Sequence, residues 1–204
     1  MPKLAYPEAV SIYPFNENEV DLIMHNAMEC TLMWSTKDGW PVGVIHSFIW
    51  KNDKIWLTFL ANRHRAAAIR RDNRVSVTVS SRAYENDAQN LPVGAITFKG
   101  KGVLLDDYDT KRWFYKALSE KNSPDNPESM SEILDSPTRL ILCVSPTKKI
   151  MYNKLLAEAH SKGEVAEEML GKPLESDTIR MNKTQYIIKQ IHNPGEMYGY
   201  DLST

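Results

Sequence analysis

Cysteine is scarce in this chain, with only Cys30 and Cys143 among 204 residues. That scarcity argues against a disulfide framework and excludes zinc sites built on paired cysteines. Each cysteine sits in an apolar, strand-like run and reads as a buried reduced thiol, which fits a reducing compartment. The five histidines are scattered, with no His-x-x-x-His spacing, so no metal centre is expected. No apolar run approaches the roughly 20 residues that a membrane-spanning helix needs. The N-terminal stretch MPKLAYPEAVSIYPF is interrupted by Pro2, Pro7 and Pro14 and lacks a signal-peptide core. A net charge of −1 gives no global drive toward nucleic acid or anionic lipid. The expectation is a cytoplasmic protein without a nucleic-acid or membrane partner. There is no P-loop, dinucleotide fingerprint or nucleophile elbow. No side chain is therefore put forward as a catalytic acid, base or nucleophile, and any chemistry would belong to a bound cofactor.

What is present is concentrated in residues 54–80, KIWLTFLANRHRAAAIRRDNRVSVTVS. Two alternating segments, 54–60 and 74–80, flank a short stretch that opens with Arg63, His64 and Arg65 and continues through three alanines and Ile69. The alternation predicts half-buried strands, and the stretch between them suits a short helix. Arginines at a helix start are mildly disfavoured by the helix dipole. Together with free backbone N–H groups they make an anion site, and the usual anion is a phosphate. The reading is a β-barrel that holds a phosphorylated cofactor.

Along the chain, residues 1–16 read as an extended arm. Asn16 or Asn18 can cap a helix over 17–29, with Val20, Ile23, Met24 and Ala27 at helical spacing. Residues 30–36 form a strand, Asp38-Gly39 marks a hairpin, and 41–50 is the return strand. Residues 51–54 make the next tight turn. Segment 94–105 is a long strand in which Gly100 and Gly102 permit close backbone approach. A helix over 106–120 is capped by Asp106 or Asp107, and a short helix covers 130–135. A last strand covers 140–144, with Pro146 marking its end. Residues 153–171 read as helical, and 172–204 show no clear periodicity. Closely spaced antiparallel strands favour a barrel over a parallel sheet. The expected fold is mainly β (α+β): a six-stranded antiparallel split barrel with flanking helices. The expected organisation is an arm at 1–16, the barrel at 17–150 and a helical extension at 151–204.

These patterns resemble the pyridoxamine-phosphate-oxidase-like split-barrel superfamily of flavin-binding proteins over about residues 17–150. Asp38-Gly39-Trp40-Pro41 looks like that family's first hairpin, and Ile55-Trp56-Leu57-Thr58 like its strand ending in Thr. Arg63-His64-Arg65 looks like its Ser-Arg-Lys phosphate loop, followed by Ile69, Asn73, Arg74 and Val75 at the family's spacing. Lys99-Gly100-Lys101-Gly102 and residues 139–146 are similar to its later strands.

The resemblance implies a homodimer with two cofactors at the interface and a small-molecule substrate beside them. It implies that the flavin ring lies along His46, Ser47, Phe48 and Ile49, with Trp56 on a neighbouring strand. The phosphate falls near Thr58, Arg63, His64 and Arg65. The Arg-x-His substrate motif of the oxidases proper is missing, and Ala95 stands about where they place a glutamine, so vitamin B6 oxidation is not expected. The leading expectation is an FMN oxidoreductase passing hydride between the flavin and a small organic substrate. Three alternatives stay open: the deazaflavin F420 on the same loop, a non-catalytic flavin- or haem-binding protein, and an OB-like nucleic-acid binder.

Overall fold

The computed structural model describes residues 10–82, 91–175, 177–180 and 182–183. Helix α1 (Glu17–Asn26) starts at Asn16, whose side chain accepts from the Glu19 amide at 2.9 Å while Glu19 accepts from the Asn16 amide at 2.8 Å. This reciprocal box satisfies two donors that a helix start otherwise leaves bare. It turns Val20, Ile23 and Met24 into the core.

The strands are β1 (Glu29–Ser35), β2 (Pro41–Ser47), β3 (Ile49–Lys51), β4 (Lys54–Leu60), β5 (Arg74–Ser80), β6 (Gly94–Leu105) and β7 (Arg139–Asn153). They form one antiparallel sheet in the order β2-β1-β5-β6-β7-β4-β3. The sheet therefore has seven strands where six were expected. The extra one arises at Phe48, which interrupts the return strand expected over 41–50. β2 and β3 are joined through this single residue, yet they lie on opposite edges of the sheet. That crossing curls the sheet into a split barrel. Phe48 is fully buried, and its carbonyl, out of the ladder, accepts from Lys121 Nζ at 3.2 Å.

The inward residues of each strand fill one core: Leu32, Trp34, Ile55, Leu57, Phe59, Val77, Phe98 and Leu142. Each fully buried aliphatic or aromatic side chain contributes about 1.5–3 kcal/mol. Outside the barrel, α3 (Tyr108–Asn122) and α4 (Pro127–Leu134) cover β4 and the start of β7 through Phe114, Leu118, Leu134 and Ile141. α3 is capped by Asp107, and α4 begins at Pro127, three residues before the expected start. β7 is longer than the expected 140–144. Pro146 sits opposite Gly100, where the register shifts, so its missing N–H interrupts nothing. A Cβ on Gly100 would lie 2.6 Å from the Ser145 carbonyl, which explains the glycine.

The arm places a short 3-10 turn (Val10–Ile12) against α5 (Lys154–Ser161), with Ile12 and Tyr13 meeting Leu156, Ala157 and Leu170. Cys30 and Cys143 are both free and buried. Residues 1–9, and with them most of the expected arm, lie outside the described residues, as do 184–204. No helix among the described residues is long and apolar enough to cross a membrane.

Candidate functional site at the barrel split

Where β2 curls round to meet β4, the chain places three aromatic or cationic groups beside the start of α2 (His64–Arg71). His46 is an inward position of β2, opposite Cys30 of the core. Its ring centroid lies 6.1 Å from that of Phe59, the inward residue near the end of β4. Arg65, in the first turn of α2, lays its guanidinium 5.3 Å from the Phe59 ring and 5.9 Å from the Trp34 ring. Such cation–π contacts hold a guanidinium in place without using its N–H groups.

The polar atoms at this point lack partners. Arg65 Nε, His46 Nε2 and Trp34 Nε1 are buried and make no hydrogen bond. Burial, and then the charge of Arg65, pull the His46 pKa down to about 4, so its imidazole is neutral near pH 7. Burial, and then Arg63, also lower the pKa of Arg65. Arg63 is the N-cap residue, exposed and without a side-chain cap bond, and the first turn of α2 contains no acidic residue. Among the described residues neither Arg63 nor Arg65 has an ion-pair partner. Bare helix-start amides, an uncompensated dipole and two arginines make this an electropositive site.

The residues named from sequence divide between two surfaces. His46 and Arg65 meet on the inward side, and Arg63 and His64 lie exposed at the helix start. Trp56 and Thr58 are the outward residues of β4 and join the other side. Trp56 packs edge-on against Trp113 at 4.9 Å and donates to the Lys51 carbonyl at 3.1 Å. Thr58 donates its hydroxyl proton to the Leu140 carbonyl at 2.8 Å. Ser47 is half-buried at the end of β2, Phe48 is in the core, and Ile49 packs with the α3–α4 layer.

Two residues beside the site were not singled out from sequence. Phe59 follows from the alternation of β4, which turns it inward. Arg139 opens β7 opposite Leu60 and has a buried Nε without a partner. That register puts Arg139 on the outward side of β4, with Trp56 and Thr58, and only the pairing of β4 with β7 reveals it.

No protein-family model matches the sequence, and no curated protein matches it. Solved structures match it in fold. A conserved hypothetical protein from Mycobacterium tuberculosis superposes with a TM-score of 0.60 at 18% identity, covering 70% of this chain and 87% of that one. HutZ, the heme storage protein from Vibrio cholerae, gives 0.55 at 12% identity, covering 69% and 97%. A candidate pyridoxamine 5'-phosphate oxidase from Listeria innocua gives 0.51 at 15% identity, covering 66% and 96%. At these identities the likeness is one of fold: the chain folds as a split β-barrel like those structures.

Proposed function

We propose that this protein is an FMN-dependent oxidoreductase of the cytoplasm that acts on a small organic substrate at a homodimer interface. The observation that carries this reading is Arg65, an arginine held between two aromatic rings with a buried N–H unpaired, beside an uncapped helix start. Native folds rarely leave buried donors unsatisfied, and the exceptions call for a missing partner. A phosphate supplies acceptors for Arg65, Arg63 and the first amides of α2 at once.

Residues 17–150 would be the cofactor-binding barrel, and 151–204 an appended extension. Bound FMN would supply the hydride chemistry. The residues of this chain would bind its phosphate, hold the ring near His46 and keep water away through Phe59 and Trp34. His46, neutral near pH 7, would offer a hydrogen bond without adding a charge.

The homodimer is supported by the outer face of the sheet. Ile45, Thr31, Thr78, Thr97 and Ile150 form one straight cross-strand row, and the α3–α4 layer lies over β4 and the start of β7 instead. Ile45 is 64% exposed and Ile150 39%, while Thr78 and Thr97 bond each other at 2.8 Å. A row of threonines, two of them mutually satisfied, between two exposed isoleucines and left uncovered by the chain's own helices suits association.

F420 carries a longer acidic tail and would want further free cations. Of Arg70, Arg71 and Arg74, Arg74 is bound to Asp72 at 2.6 Å and Arg71 donates to the Ser35 carbonyl at 2.8 Å, which leaves the exposed Arg70 for such a tail. A haem-binding reading has one specific support, the neutral imidazole of His46 with an unpartnered Nε2, since an axial ligand must be unprotonated.

The test is an absorbance and fluorescence titration of the full chain with FMN, F420 and hemin, alongside light scattering for oligomeric state. Saturation by FMN at micromolar levels and a dimer are expected. A Soret band that saturates with hemin and disappears in His46→Leu would replace the flavin reading. Saturation by F420 alone would move the assignment to the deazaflavin. No saturation by any of the three would remove the cofactor proposal.

A further inference from the structure

A cavity of about 400 Å³ lies on the far side of the barrel wall, between α3 and α4. Ligand pockets run from roughly 300 to 1,000 Å³, so a small metabolite fits. Its two walls carry opposite charge. Lys111 and Arg112 project from α3, while Glu128 and Glu132 project from α4 and Asp135 closes its end. Among the described residues no ion pair joins the walls. Lys111 turns instead to Asp106.

Tyr115 provides the independent sign of a ligand. It lines the cavity, is only 4% exposed, and its hydroxyl is buried without a hydrogen-bond partner. Burial raises its pKa, Arg139 opposes that rise, and Asp135, which lines the cavity, and Asp106 add to it. A buried hydroxyl that finds no protein partner calls for an explanation, and a ligand in the adjoining cavity is one.

We infer that this cavity binds a small zwitterion with surplus positive charge, of the dibasic amino-acid class. With Lys111 already neutralised by Asp106, one guanidinium remains for a ligand carboxylate. Three carboxylates, Glu128, Glu132 and Asp135, outnumber it, which favours a ligand with more cationic than anionic groups. The Tyr115 hydroxyl would donate to the carboxylate or accept from the ammonium. The inference does not depend on the cofactor reading.

Isothermal titration of the full chain with L-arginine and L-lysine tests it, with L-alanine and L-glutamate as comparators. Saturable, salt-sensitive binding of the dibasic pair is expected, weaker binding of alanine, and none of glutamate. Arg112→Gln and Glu132→Gln should each weaken binding about tenfold, the size of a charge-assisted contact. Tyr115→Phe should weaken it several-fold without lowering the melting temperature, because the lost hydroxyl bonds nothing in the free protein. Absence of saturation by arginine and lysine into the millimolar range would overturn the inference. So would equal binding of glutamate, or arginine binding unchanged in both charge variants.

Discussion

The two faces of β4 treat polar groups in opposite ways. On the outward face, the Trp56 N–H and the Thr58 hydroxyl each have a backbone carbonyl to bond. On the inward face, around Phe59, Arg65 Nε, His46 Nε2 and Trp34 Nε1 have none. The strand is the same, but its inward residues are buried and its outward ones half-buried, so the face nearer solvent is the one whose polar groups are paired. The polar side chains of β4 on the outward face are finished by the chain itself, through the carbonyls of Lys51 in β3 and Leu140 in β7, although Tyr115 and Arg139 on that side keep buried polar atoms unpaired. The inward face at the barrel split is finished only when acceptors arrive from elsewhere. An unmade buried hydrogen bond costs about 1–3 kcal/mol, which a fold tolerates where binding returns it.

The sharpest way to break this contrast is Arg65→Met. The variant keeps an apolar stem against Phe59 and Trp34 but removes the unpaired donors and the charge. FMN affinity should fall at least tenfold, since a charge-assisted hydrogen bond contributes about 1.5–3 kcal/mol. Stability of the cofactor-free protein should change by less than about 1 kcal/mol, because the lost cation–π contact is offset by relief of the unpaired donor. Fluorescence titration and urea unfolding measure the two quantities. Unchanged affinity would mean that the inward face is not where the phosphate lies.

Thr58→Val is the counterpart on the outward face, and its expected effect is smaller and of the opposite kind. It removes the bond to the Leu140 carbonyl and should cost about 0.5–1.5 kcal/mol of unfolding free energy. FMN affinity should fall by less than in Arg65→Met, because the hydroxyl proton is already committed. A variant that unfolds like the parent but binds FMN as poorly as Arg65→Met would reverse the assignment of the two faces.

Much of this contrast was open to reading along the chain, and the unreadable part has a physical cause. The alternation of Ile55, Leu57 and Phe59 with Trp56 and Thr58 was visible as a two-residue period, as was the tight turn that places Asn52 and Asp53 at φ 54°. Arg63 and Arg65 at a helix start are a local pattern. The meeting of His46 with Phe59 is not local, because it depends on the curl imposed at Phe48. That break is stabilised by Lys121, more than seventy residues away. Nothing near Phe48 in sequence announces it, so a continuous strand was the natural expectation. Pro146 misled in the same way: a proline usually ends a strand, but here it faces the irregularity at Gly100, which only the pairing of β6 with β7 reveals.

The smallest expected effect is a slope, and it tests whether the inward face is dry. In the folded chain the pKa of His46 is lowered from 6.5 to about 4, first by burial and then by Arg65. In the unfolded chain the imidazole titrates near its ordinary value. Between those two values the unfolded chain binds a proton that the folded chain does not. Stability therefore rises with pH across that window and is lost as pH falls from about 6.5 toward about 4. Part of the ring is reached by solvent, so the effect is modest. Urea midpoints measured through the window should rise more steeply with pH for the parent than for His46→Phe, while the contribution of the carboxylates is common to both. Arg65→Met should narrow the window from below, because it removes the second cause and leaves burial alone. Equal slopes in all three proteins would show His46 to be hydrated. The inward face would then owe its unpaired atoms to water rather than to a missing ligand, and the contrast across β4 would disappear.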